Sequence, residues 1–203
     1  MEHVVYALKV VATLAVFISP FALFLTYADR RHQRIWQQFA NESGAVLRER
    51  TKGVLGRLGR FWEPGGPRQL EMDLNGTQVT VLYLDGISTT KASTTANGFP
   101  RFEVCPVKVV SIRGWGPGKE VPDVSFGDEA FDETYKVRAE SGFDVRRLVD
   151  ENIRAAHRRS PSVAIGTDQE GYLASTIPGW GRDARELHGM FELIELYLEK
   201  TST

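Results

Sequence analysis

Few side chains in this 203-residue chain could do chemistry, and their spacing decides how much. The four histidines are His3, His32, His157 and His188. His188 and Glu192 stand four residues apart on a segment with helical periodicity, a spacing that could present two ligands to one metal ion. No second pair of His or Cys lies nearby, and transition-metal sites draw on three or four protein ligands. The pair therefore reads as a solvated helix face. His157 lies among arginines, which would depress its basicity. Asp128, Glu129, Asp132 and Glu133 could attract a hard cation, yet they lack the alternating carboxylates and closing Glu of a calcium loop. The plainer reading has Phe126 and Phe131 anchoring a turn whose acids face water. Cys105, between Val104 and Val107, reads as a buried, inert thiol with no sequence-local base. One cysteine cannot form an internal disulfide, so nothing points to an oxidising compartment.

Glycine-rich stretches invite a phosphate reading and fail it. Gly53, Gly56 and Gly59 recur every third residue but lack a following Lys-Ser/Thr pair and a preceding apolar strand. Gly118-Lys119 has Arg113 where a phosphate loop needs glycine, and Glu120 where it needs Ser or Thr. No G-x-S-x-G elbow occurs. The residues assign no catalytic, cofactor-binding or metal-binding role, and the chain reads as one that binds and does not react.

The elements around these residues describe a mixed chain of the α+β class. Leu70, Met72 and Leu74 alternate with charged residues, Asn75-Gly76 follows, and Thr77 to Leu84 alternates again. Asn-Gly between two such runs signals a two-residue hairpin, because both residues accept positive φ. Gly86 to Gly98 reads as a loop with an edge strand near Thr89–Thr95. Phe102 to Cys105 and Val107 to Ile112 read as strands interrupted at Pro106, and Glu133 to Glu140 as another. Ser141 and Asp144 have capping-box spacing and open a helix to Arg159. Its inner stripe is Val145, Leu148, Val149, Asn152, Ile153 and Ala156, with Arg146, Arg147, Arg154 and Arg158 elsewhere as a basic face that could meet another protein. A second hairpin, Ser162–Ile165 with Tyr172–Ile177, precedes an amphipathic helix from Asp183 to Lys200. That helix buries Leu187, Met190, Phe191, Ile194 and Leu198. The expected fold is a mainly antiparallel sheet with two C-terminal amphipathic helices packed on it.

One feature places the chain physically. Residues 4–27 are a near-continuous apolar run, long enough as a helix to span about 36 Å, against a hydrocarbon core of about 30 Å. Lys9, the one charge in the run, can reach the headgroups, and Pro20 is tolerated as a kink in a membrane helix. The competing reading is a cleaved signal peptide ending at Thr26-Tyr27-Ala28. The apolar stretch exceeds the usual signal core, and Arg30, Arg31 and Arg34 fit a stop-transfer flank. By the positive-inside rule the following domain is cytoplasmic and the anchor is a single pass of the cell membrane. From Asp29 to Ser43 the helix continues, with Ile35, Trp36, Phe39 and Ala40 on one face and Gly44 as its stop. A short extended piece, residues 45–50, follows. The expected organisation is an anchor at 1–28, a juxtamembrane helix at 29–44 and a soluble domain at 45–200.

The net charge is −1, which argues against a general nucleic-acid binder. Charge is nonetheless uneven: residues 29–68 hold nine Lys/Arg against four Asp/Glu, and residues 120–151 hold ten acids against four bases. The basic half adjoins the expected membrane segment, which reads either as attraction to an anionic leaflet or as ordinary surface.

The stretch Phe131-Asp132-Glu133-Thr134-Tyr135-Lys136-Val137, followed by a helix, a hairpin and a closing helix, resembles uncharacterised bacterial membrane-anchored proteins. Asn75-Gly76-Thr77 with its following strand is similar too, and the likeness covers residues 36–199. It implies an envelope protein and carries no functional residues. Two functions follow as expectations: a membrane-anchored, non-enzymatic interaction or scaffold module, or a tethered enzyme or small-ligand receptor whose site is assembled only in three dimensions.

Overall fold

The computed structural model describes residues 27, 30–49, 68–84, 89–108, 121–168, 170–179 and 183–201. Among these no helix is long and apolar enough to cross a membrane. The run 4–27, apart from Tyr27, lies outside them, as do the glycine triplet 53–59, the stretch 109–120 and His3. The chain divides into two compact units, residues 1–34 with 51–66, and residues 35–50 with 67–203. In the first unit the described residues, Tyr27 and 30–34, are helical.

The second unit is α+β. Its strands are β1 (Val46–Glu49), β2 (Arg68–Leu74), β3 (Thr77–Leu84), β4 (Thr89–Thr94), β5 (Phe102–Pro106), β6 (Tyr135–Ala139), β7 (Ala164–Thr167) and β8 (Leu173–Pro178). The helices are α1 (30–43, of which residues 35–43 belong to this unit), α2 (Glu129–Thr134), α3 (Val145–Leu148), α4 (Glu151–Arg159) and α5 (Ala184–Thr201). All strands form one eight-stranded sheet in the order β1-β2-β3-β4-β8-β7-β5-β6, and every pairing is antiparallel. The β7–β8 hairpin is inserted between β4 and β5, joining a four-stranded meander to the β5–β6 pair.

Register explains why one face is core. Directly opposed residues in an antiparallel sheet share a face, so Leu47, Leu70, Val81, Ala92, Ser175, Ile165, Val104 and Val137 form one row across all eight strands. All but Leu47 are buried. Ser175, the polar member, gives its hydroxyl to the Ala164 carbonyl at 2.9 Å. The helices pack on this face: Phe102, two residues before Val104, stacks on Tyr197 of α5 at 5.3 Å. The next row on the opposite face is Val46, Glu71, Thr80, Ser93, Ala174, Gly166, Glu103 and Arg138.

Gly166 is fixed by close approach. A Cβ there would lie 2.6 Å from the Phe102 carbonyl oxygen and 3.2 Å from the Glu103 Cα, both backbone atoms of β5. Gly166→Ala is expected to destabilise by about 1–3 kcal/mol, the usual cost of overpacking. Denaturant unfolding measures it, and a change below about 0.5 kcal/mol would mean that β5 yields freely.

Several sequence expectations hold. Asn75 and Gly76 adopt φ of 54° and 84°, the turn that the Asn-Gly pair demands. Residues 30–43 are helical, Gly44 follows at φ 72°, and β1 lies within residues 45–50. The 173–178 strand and the C-terminal helix lie where the pattern put them, with all five expected α5 residues buried.

Others are corrected. The Thr89–Thr94 strand is interior, between β3 and β8, not an edge. Its threonines suit that place because Thr90 and Thr94 donate to the carbonyls of Gly179 and Leu173 at 2.7 and 3.0 Å. Glu133 and Thr134 belong to α2, since Asp128 caps a helical turn before the strand begins at Tyr135. The helix expected from Ser141 to Arg159 is two helices, each with its own Asp cap. Asp144 accepts from the Arg146 amide and Asp150 from the Ile153 amide. The break also exposes Asn152, assigned to the inner stripe, and buries His157.

Asp150 holds two ends at once, accepting the Ile153 amide at 3.1 Å and the Lys200 ammonium from α5. Asp150→Ala is expected to cost about 1–2 kcal/mol through the lost cap. Asp150→Asn, which keeps an acceptor, is expected to cost less than half as much. Equal losses in thermal denaturation would place the effect in the ion pair and not in the cap.

Candidate functional site

Three clusters gather the side chains with chemical potential, and each spends that potential on structure. The first joins α1 to α5. Trp36, Phe39 and Ala40 are buried, and the Phe39 ring stacks on Phe191 at 4.9 Å and lies 4.8 Å from the His188 ring. His188 Nε2 meets Glu42 Oε2 at 2.9 Å, which holds the Glu42 carboxyl below its ordinary range through that hydrogen bond and one from Gln38. The metal reading paired His188 with Glu192. Instead Glu192 pairs with Arg159 of α4, so the two residues serve different neighbours. Trp36, Phe39 and Ala40 of α1 thus lie in the core of the domain, while Gln37 and Gln38 on its other side are exposed.

The second cluster is acid and arginine. Asp128 caps α2 and also receives Arg158 at 2.7 Å and Arg154 at 3.3 Å, while Glu151 receives both arginines from the other side. Arg154 also lies over the Phe126 ring, 5.4 Å from its centroid. Hydrogen bonds from Arg158 and the Phe131 amide keep Asp128 ionised below its usual range. Asp132 accepts the Phe126 and Gly127 amides at 3.0 Å and the Ser125 hydroxyl at 2.7 Å. Phe131 is fully buried and meets Phe126 edge-on at 5.5 Å, so these rings do anchor the acidic turn. Asp128 and Asp132 thus face arginines and amides, while Glu129 and Glu133 are exposed. Among the described residues no three His, Cys, Asp or Glu side chains converge as a metal set.

The same network rewrites the basic face. Arg154 and Arg158 are locked between Asp128 and Glu151. Arg146 reaches the Ser125 carbonyl at 2.8 Å, and Arg147, 88% exposed, pairs with Asp144 three residues earlier.

The third cluster is aromatic and sits under α4. His157 is fully buried, its Nε2 3.2 Å from the Tyr197 hydroxyl. Phe131 and Tyr135 border the ring, and the Tyr135 hydroxyl donates to the His157 carbonyl. Burial pushes the imidazole down to about 3, so it is neutral in the folded protein. The direction agrees with the sequence reading, but the cause is desolvation and not the arginines. Both tyrosines are pushed up by the same burial. Periodicity could have found this histidine: Ile153, Ala156 and His157 stand at i, i+3 and i+4, one face of a helix.

Cys105 is buried in β5, and desolvation with the nearby Glu103 charge raises its thiol to about 12. It is therefore protonated and a poor nucleophile. His32 is half-exposed on α1, and Tyr172 is half-buried beside the β7–β8 turn.

No protein-family model matches the chain, and no curated protein matches it. Among solved structures, the chain is similar to one described as the crystal structure of the mycobacterial trehalose monomycolate transport factor A, TtfA. The two superpose with a TM-score of 0.57 at 9% identity, covering 84% of this chain and 94% of that one. At that identity the likeness is one of fold.

Proposed function

We propose that the chain is a single-pass, membrane-anchored interaction module, non-enzymatic, with its α+β domain on the cytoplasmic side. The observation that carries this reading is the helix after the apolar run. Residues 4–27 are long enough to span a bilayer, three arginines follow, and the same helix then inserts Trp36 and Phe39 into the domain core.

The chemistry of the domain supports binding over catalysis. Its best candidate groups are occupied: His188 by Glu42, Asp128 by two arginines, Asp132 by backbone amides. Near neutrality the Cys105 thiol stays protonated and does not attack, and the His157 ring stays neutral and does not take up a proton. The resemblance to bacterial membrane-anchored proteins fits the same reading. The solved structure of similar fold is described as a transport factor, and at 9% identity the likeness bears on the fold alone.

The partner surface we assign is the face carrying Arg146, Arg147, Arg154 and Arg158. Arg146 and Arg147 are its accessible members, and Arg154 and Arg158 shape it from within their acidic network. A photo-crosslinker placed at the exposed Asn152 in intact cells is expected to trap one membrane protein, and Arg146→Glu with Arg147→Glu to abolish the adduct. An adduct pattern unchanged by the charge reversal would contradict this surface.

A further inference from the structure

Most arginines among the described residues have a partner. Arg48 pairs with Glu71, Arg147 with Asp144, Arg158 with Asp128 and Glu151, Arg159 with Glu192, and Arg185 with Asp183, while Arg146 donates to a carbonyl. These are exposed side chains that still find a partner. Arg30, Arg31 and Arg34 are the exception. All three are exposed, they stand on the first described turn of α1, and among the described residues none has an acid or carbonyl partner. At 3.6 residues per turn, positions i, i+1 and i+4 fall within roughly 100° of arc, so the three guanidinium groups share one stripe. The stripe begins three residues after the end of the apolar run.

We infer that Arg30, Arg31 and Arg34 form a contact site for the anionic headgroups of the bilayer that residues 4–27 enter, an inference that rests on the membrane reading above. The chemistry matches. A guanidinium presents a planar fork of N–H donors to phosphate oxygens, where an ammonium offers a point charge. Three such forks, with no acid partner among the described residues, are placed to meet an external anion. The consequence is a preference for phosphatidylglycerol-type lipids around the emerging helix, beyond the anchoring that the apolar run supplies by itself.

The test uses the full chain in nanodiscs of equimolar phosphatidylcholine and phosphatidylglycerol, followed by extraction in mild detergent and quantification of the lipid that stays bound. The wild-type chain is expected to retain phosphatidylglycerol over phosphatidylcholine, and the preference to fall on the order of fivefold for each arginine removed. The variant Arg30→Gln, Arg31→Gln, Arg34→Gln is expected to show none, and Arg185→Gln, at an exposed arginine on α5, to match wild type. Arg30→Lys with Arg31→Lys and Arg34→Lys is expected to keep part of it, and added salt to weaken it. A wild-type chain that stays in the bilayer under alkaline extraction but holds the two lipids equally overturns the headgroup site and leaves the anchor standing. A wild-type chain released by alkali overturns both. Retained preference in the triple Gln variant also overturns the site, because another surface would then be selecting the lipid.

Discussion

Phe39→Ala in the full chain is expected to lower the free energy of unfolding by about 3–5 kcal/mol, the range for emptying a buried aromatic site. Phe39 is fully buried between Phe191 and His188, two residues of α5 that lie far away in sequence. Removing the ring empties the seat of α1 and leaves Trp36, 1% exposed, and Ala40 to hold the helix. Loss of the seat is expected to bring protease cleavage within residues 37–45, where backbone freed from packing becomes accessible. Gln37→Ala, on the exposed side of the same helix, is expected to change stability by less than about 0.5 kcal/mol. Denaturant unfolding in detergent separates the two. A Phe39→Ala cost below about 1 kcal/mol would mean that α1 is not seated in the domain core.

The second large effect is acid sensitivity through His157. Its folded pKa of about 3 lies below the ordinary histidine value of 6.5, because burial disfavours the imidazolium. Below pH 6.5 the unfolded chain therefore binds a proton that the folded chain does not, and stability falls as pH falls. The contribution is fully present above pH 6.5 and is lost progressively towards pH 3. Between pH 7.5 and 5 the loss is about 2 kcal/mol for one such group. Carboxylates held below their usual range, such as Asp128, Asp132 and Asp150, add their own losses at lower pH. The window from pH 7.5 to 5 thus isolates the histidine. His157→Gln, which keeps a polar group beside the Tyr197 hydroxyl, is expected to flatten the slope over that window even if its stability at pH 7.5 is lower. An unchanged slope would mean that the ring can become charged in place.

Much of the fold was legible from local pattern, and the failures share a cause. The β2–β3 hairpin was readable because Asn75-Gly76 states its own backbone angles. The apolar face of α1 was readable because Ile35, Trp36, Phe39 and Ala40 keep helical spacing. By contrast, the Thr-rich β4 passes for an edge strand in sequence. Its central place depends on carbonyls of Gly179 and Leu173, residues 89 and 79 positions away. The helix break at Val149–Asp150 was hidden for a similar reason. Ser141 and Asp144 fit a single capping box, and Asp150 looks like one more polar position until its side chain is seen closing on the Ile153 amide.

The candidate site divides in the same way. The apolar run and the arginines after it are visible in one dimension, since length and charge order are all they require. The partner of His188 is not visible there. Glu42 is 146 positions away, whereas Glu192 stands at an inviting helical spacing and is turned towards Arg159. The arginines of α4 looked like a free basic face because their acids, Asp128 above all, come from another element. Local spacing reports which residues could meet, and the fold decides which of them do.

The central claim is that residues 4–27 hold the chain in the membrane with the domain inside. Protease treatment of sealed vesicles carrying the full chain with a C-terminal tag tests it most directly. The account predicts a tag bound to the membrane pellet, degraded in inside-out vesicles and protected in right-side-out ones. A tag protected in inside-out vesicles, or recovered in the soluble fraction, would contradict it.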